Sequence, residues 1–188
     1  MMMEMVFSVL LGVGLAASSG FRVFVPLFAL SCASYFHIIE LNAAWAWAGS
    51  ITALIILGVA SIVESVSYLV PVVDNLLDTI AVPLAGVAGT LVMASTLTDM
   101  SPAMTWALAI VAGGGADASI KGSVAATRVV STATTGGLAN PAVSVAETGT
   151  AIGLSALSIF APILAMVALF VGLIFFIFLM TKLKNRKH

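Results

Sequence analysis

ITALIILGVASIVESVSYLVPVVDNLLDTIAVPLAGVAGTLVMASTL, residues 51–97, is the stretch that decides the fold. A helix rises ~1.5 Å per residue and the hydrocarbon core of a bilayer is ~30 Å thick, so one span needs about 20 residues. This run is long enough for two. Pro71 divides it, because the residue before a proline avoids helical geometry. Three carboxylates, Glu64, Asp74 and Asp78, interrupt it. Charge at membrane depth costs roughly 2.5–3.5 kcal/mol per residue, so such groups persist where they face a polar interior and mark a pathway or binding site.

The same pattern extends outward. Three further apolar blocks cover residues 6–36, 103–133 and 138–181. The last is also long enough for two spans, with Pro162 as its break. The other two are too long for one upright span and too short for two, and are expected to form long tilted or interrupted helices. Ser18-Ser19-Gly20 with Pro26, and Gly113-Gly114-Gly115, supply their weak points. The reading is an all-α integral membrane protein of about six transmembrane helices. Composition agrees: the chain is 61% apolar and only 8% charged, with a mean hydropathy of +1.20, against about 25% charged in soluble domains. A net charge of −1 excludes the basic stripe that nucleic-acid binding requires. A single cysteine, Cys32, excludes an internal disulfide and a cysteine metal cluster. Met1 to Met5 lack the basic residues of a signal peptide, and Arg22 breaks the apolar run before Cys32, so neither cleavage nor lipidation is expected.

Lys182, Lys184, Arg186 and Lys187 follow the last span, and no earlier connecting loop carries a Lys or Arg. The positive-inside rule places this basic tail, residues 182–188, in the cytoplasm. Six spans would bring the N-terminus to the same side. The loop holding Glu40, Trp45 and Trp47 would then lie outside, where tryptophan suits the interface.

Local sequence recurs. Ser61-Ile-Val-Glu64-Ser65-Val-Ser67 matches Ser144-Val-Ala-Glu147-Thr148-Gly-Thr150 as serine, two apolar residues, glutamate, hydroxyl, any residue, hydroxyl. More weakly, Gly14, Ala17 and Arg22 match Gly113, Ala116 and Lys121. The chain therefore reads as two membrane repeats, residues 1–100 and 101–181. Three spans per half is odd, so the halves would be inverted, an arrangement that puts transporter sites at the midplane between repeats. The alternative is chance recurrence of the small and hydroxyl residues common in membrane helices.

Arg22 and Lys121 lie mid-span, too deep to snorkel comfortably to the interface. Glu64 and Glu147 are their symmetric partners, and Asp117 and Lys121, four apart, offer an intrahelical pair. Arg128 follows on roughly the same face as Lys121. Such groups form either a binding site or a static network that fixes helix packing. Asp74, Asn75 and Asp78 follow Pro71; Asp74 suits a helix N-cap, whereas Asp78, one turn deeper, suits proton or cation binding. Asp99 reads as an exposed turn residue. In Thr132-Ala-Thr134-Thr135-Gly136-Gly137-Leu-Ala-Asn140-Pro141, an N-cap asparagine precedes a proline at the first helical position. With Arg128 upstream, this is either an anion-binding helix end or an ordinary interfacial loop.

No enzyme motif is present. His37 and His188 cannot form a metal pair. Gly113-Gly114-Gly115 lacks the context of a phosphate loop, and no serine lies in a motif with a histidine base. No catalytic, cofactor-binding or metal-binding residue is assigned.

The stretches SSGFRVFVP (18–26), PVVDNLLDTIAVPLAG (71–86), STLTDMSP (95–102) and STATTGGLANP (131–141) resemble the bacterial multi-pass membrane proteins catalogued as domain of unknown function 4126. The resemblance implies a small bacterial inner-membrane protein and brings no substrate or mechanism. From the residues, the expected function is a transporter or channel for a small polar or charged solute, working as a monomer or homodimer. Arg22, Lys121 and Arg128 would hold anionic groups or balance the acids, and Glu64, Glu147 and Asp78 would couple protons or cations. The alternatives are a non-transporting membrane scaffold that stabilises a partner, and a lipid-carrier flippase. A groove open to the bilayer would favour lipid cargo, and a closed central cavity a small solute.

Overall fold

The computed structural model describes residues 2–98 and 100–185, with no side-chain environment for residues 71, 72, 75, 79, 179, 180 and 183–185. Asp99, Arg186, Lys187 and His188, and the side chains of Asn75 and Lys184, therefore lie outside the described residues.

The elements run α1 (Met2–Ser19), α2 (Phe24–Tyr35), a 3-10 turn (Ala43–Gly49), α3 (Ile51–Ser67), α4 (Pro71–Thr96), α5 (Pro102–Leu108), a π-helical turn (Ala109–Gly114), α6 (Gly115–Thr135), α7 (Asn140–Phe160) and α8 (Pro162–Asn185). Among the described residues there is no strand. Met2–Ser19, Pro102–Thr135 and Asn140–Phe160 are long and apolar enough to cross a membrane, and the 3-10 turn with α3, bent by 67°, makes a fourth candidate. Phe24–Tyr35, Ile80–Thr96 and Pro162–Phe178 are apolar but shorter. In α4 the apolar run is cut short at its start by Asp74 and Asp78.

Pro71 and Pro162 each begin a helix, as the sequence predicts. The two intermediate blocks take different forms. The first is broken between Ser19 and Phe24, because a continuous helix would set the Pro26 ring against the carbonyl of Arg22. The Ser18 carbonyl closes α1 by accepting from the amides of Phe21 and Arg22, at 3.0 and 3.3 Å. The third block is not broken: α5, the π turn and α6 form a single 34-residue helix. Its glycines serve close packing instead. A Cβ on Gly113 would lie 2.5 Å from the Gly89 carbonyl oxygen, and one on Gly114 would lie 2.4 Å from Thr90 Oγ1. The π turn and α4 therefore meet backbone to backbone.

α1 is the central helix, packed against α4, α6, α7 and α8. Its buried Leu15 meets Leu30 and Val92, and its Ala17 meets Leu154 and Ala165. A second core joins Met93 and Ala94 of α4, and Leu97 just after it, to Ala109 of the π turn. α8 turns Val167, Phe170, Ile174 and Phe178 outward, as expected of a lipid-facing helix. Gly136 and Gly137, at φ +62° and +87°, take the left-handed geometry that ends α6 and lets α7 start within four residues.

Candidate functional site

The break between α1 and α2, the α3–α4 link, and facing parts of α6 and α7 converge on one buried polar cluster. Arg22, in the break, is fully buried. Its Nε donates to Thr148 Oγ1 (3.0 Å), Nη1 to the Phe21 carbonyl (3.3 Å) and to Glu147 Oε2 (2.8 Å), and Nη2 to the carbonyl and hydroxyl of Ser144 (3.1 and 2.9 Å). A guanidinium has five N–H groups, and all of them are used.

Arg128 of α6 approaches the same acceptors from the other side. Its Nε donates to Glu147 Oε1 (3.0 Å), and its Nη2 to Glu147 Oε2 and to Ser144 Oγ (2.9 Å). Nη1 reaches Asp74 Oδ2 at 3.4 Å, and Nε lies 3.6 Å from Asp78 Oδ2. Lys121, about two turns earlier on the same face of α6, lies 3.6 Å from Asp78 Oδ1 and donates to the Tyr68 hydroxyl at 3.2 Å. Ser144 Oγ accepts from both arginines and donates to the Tyr68 carbonyl at 2.8 Å, which exhausts its hydrogen-bonding capacity.

Tyr68 is the hub. Its ring is 3% exposed. Arg22 lies 4.1 Å, Arg128 4.6 Å and Lys121 4.8 Å from the ring centroid. The negative face of an aromatic ring attracts cations, most strongly where water is absent, so Tyr68 helps hold three like charges together.

Seven of the predicted residues thus assemble: Arg22, Asp74, Asp78, Lys121, Arg128, Asn140 and Glu147. Several of their expected roles change. Asp74 is not an N-cap: α4 has no side-chain cap, and Asp74 is buried one turn in, against Arg128 and Asn140. Asn140 is likewise the first helical residue of α7 and not its cap. Its Nδ2 donates to Asp74 Oδ2 and Thr132 Oγ1, both at 3.1 Å. Its Oδ1, the atom an N-cap would use, is buried and accepts no helix-end amide.

Glu64 and Asp117 stand apart, and among the described residues neither forms an ion pair. Of the symmetric pairs, Arg22–Glu147 forms and Glu64 takes no cation. Glu64 instead accepts from the backbone amides of Val23 (2.8 Å) and Phe24 (2.9 Å), at the positive end of α2. Asp117 does not bind Lys121. Its Oδ2 meets the Ser19 hydroxyl, at the end of α1, and its Oδ1 is buried without a hydrogen-bond partner.

Tyr68, Ser144, Thr148 and Ser19 were missed by reading charge alone. Ser144 and Thr148 had a signal, since both sit in the recurring motif around Glu147. Tyr68 had only its place after the matching motif, and Ser19 only its place at the helix break.

Two lateral grooves flank the cluster. One, of about 620 Å³, lies between α2, α3 and α7 and is lined mainly by apolar groups such as Phe28, Ile62 and Ile152, with Thr148 among its lining residues. The other, of about 850 Å³, lies between α1, α6, α7 and α8. Among the described residues no group of histidine, cysteine, aspartate and glutamate side chains is placed to hold a metal ion.

The family model described as domain of unknown function DUF4126 matches residues 9–182. The chain belongs to the DUF4126 family. The match takes in every helix that contributes to the cluster, so the arrangement lies wholly within the DUF4126 domain. No curated protein and no solved structure matches the chain.

Proposed function

We propose that this protein is a small inner-membrane transporter or channel for a small polar or charged solute, with the Tyr68-centred cluster as its site. One observation carries the reading: Arg22, Lys121 and Arg128 are matched by Asp74, Asp78 and Glu147 in one largely buried network. Helix packing alone is achieved at lower cost by small residues, and intramembrane charge is by default a sign of function. Because Arg22 has no free N–H, the bases balance the acids and leave little to hold an anion. The solute favoured is a cation or proton.

The proposed topology is six spans in two inverted halves, residues 1–100 and 101–181, with the basic tail in the cytoplasm. Each half supplies a long interrupted or π-bulged stretch, a glutamate-bearing helix, and a helix opened by proline, Pro71 or Pro162. The basic tail supports the orientation. No catalytic role is proposed.

The experiment is ion and proton flux in proteoliposomes, comparing wild type with folded Glu147→Gln and Asp78→Asn variants. Wild-type flux abolished by either substitution supports the reading; no flux across a broad set of gradients and solutes overturns it. A second reading, lipid-carrier flipping, draws support from the apolar groove between α2, α3 and α7, which reaches Thr148 and, through it, Arg22. Transfer of a labelled isoprenoid phosphate between leaflets, without ion flux, would favour it.

A further inference from the structure

The charges of the cluster cancel, but two acids beside it are left over. Arg22, Lys121 and Arg128 are engaged by Asp74, Asp78 and Glu147, three against three. Glu64 and Asp117 remain, one at each side of the α1–α2 break. Glu64 sits at the positive end of α2 and accepts two backbone amides there. Asp117 sits at the negative end of α1, where a second negative charge is disfavoured. It is fully buried, pairs with no cation, and has one oxygen without a donor.

Its hydroxyl partner leads to the same conclusion. Ser19 Oγ lies 2.8 Å from the Ala16 carbonyl oxygen and also contacts Asp117 Oδ2. A hydroxyl has a single hydrogen. Both contacts are hydrogen bonds at once only when the carboxyl supplies the second, in the chain Asp117 Oδ2–H to Ser19 Oγ–H to the Ala16 carbonyl. A buried carboxylate without a cation takes up a proton or a metal ion. Among the described residues no group of three histidine, cysteine, aspartate or glutamate side chains is placed there to hold a metal ion.

We propose that Asp117 is a proton-binding site, held as the neutral acid by Ser19 and Ala16 at the broken end of α1. The charged groups that act on it are Lys121 of its own helix and Glu64 of α3. Asp74 and Asp78 of α4, Arg22 of the α1–α2 link and Glu147 of α7 are occupied with one another. Loss of the proton, to water, would place a negative charge against the α1 terminus and turn the Ser19 hydrogen from Ala16 to Asp117. That would unseat the end of α1 next to Arg22. Proton coupling by this residue rests on the transport reading; the protonation itself does not.

The test is infrared difference spectroscopy of the purified, reconstituted protein, following the C=O stretch of protonated carboxyl groups at neutral pH. The expected result is a band present in wild type, missing in Asp117→Asn, and moved to higher frequency in Ser19→Ala, where the acid loses its acceptor. Identical spectra for wild type and Asp117→Asn overturn the proposal. If Asp117→Asn fails to fold, a band unmoved by Ser19→Ala overturns it equally. A protein that conducts nothing but shows the band sinks the transport reading alone. One that conducts protons without the band sinks this site alone.

Discussion

Glu147→Gln removes the charge that two arginines share. The substitution keeps size and shape, so its effect is electrostatic. Glu147 Oε2 lies 2.8 Å from Arg22 Nη1, and Oε1 lies 3.0 Å from Arg128 Nε. In glutamine one of these oxygens becomes an amide nitrogen that faces guanidinium N–H groups, donor against donor. Breaking a buried ion pair by deleting one partner costs about 3–5 kcal/mol, because the remaining charge is left unpaired. Asp78→Asn is the internal comparison. Its contacts to Lys121 and Arg128 are both 3.6 Å, beyond hydrogen-bonding distance, and its side chain is 15% exposed. That loss is expected to be smaller, about 1–3 kcal/mol, because the contacts are longer and the site is partly open. Denaturation of the purified protein in mixed micelles, followed by circular dichroism, gives both free energies. The double variant Arg22→Gln with Glu147→Gln should recover part of the loss, since it also removes a stranded cation. A Glu147→Gln cost no larger than that of Asp78→Asn would refute the assignment of Glu147 as the anion that joins the two arginines.

Tyr68 and the glycine contacts give two further expectations in the same assay. Tyr68→Phe keeps the ring beneath three cations and loses only the acceptor for Lys121, a loss of about 1 kcal/mol. Tyr68→Leu removes the ring and should cost about 1–2 kcal/mol more; equal losses would deny the cation–ring contribution. Gly113→Ala should destabilise by roughly 1–3 kcal/mol, because the new Cβ meets the Gly89 carbonyl at 2.5 Å. Gly115→Ala, two residues on and with nothing within 4 Å, should be neutral or stabilising by up to about 1 kcal/mol. Similar losses for the two alanines would contradict the close packing of the π turn on α4.

Much of the architecture is written in residues that act locally. Pro71 and Pro162 each start a helix, since the proline ring disfavours a preceding helical turn, although α4 carries Pro83 in its interior. Pro26 and Ser18-Ser19-Gly20 mark a break in the same way. Gly113-Gly114-Gly115 was read as a comparable weak point, yet the helix passes through it as a π turn. Glycine permits a break but does not impose one, and contact with Gly86, Gly89 and Thr90 keeps the backbone helical.

By itself, the sequence determined that the charged residues at membrane depth need one another. The cost of an unpaired ion in an apolar medium is large and independent of fold, so Arg22, Lys121 and Arg128 each had to find a carboxylate. Which acid meets which base was decided by tertiary structure alone. Glu64 and Glu147 occupy matching positions in matching motifs, and only the packing of α2 beside α3 gives Glu64 a helix end while Glu147 receives two arginines. The same holds for Asp117, four residues from Lys121 and yet bound to Ser19, and for Tyr68, whose ring receives its cations from α6 and the α1–α2 break. Burial and periodicity act along the chain and can be read there. Ion pairing acts through space, over a few ångströms, between residues that the chain alone keeps far apart.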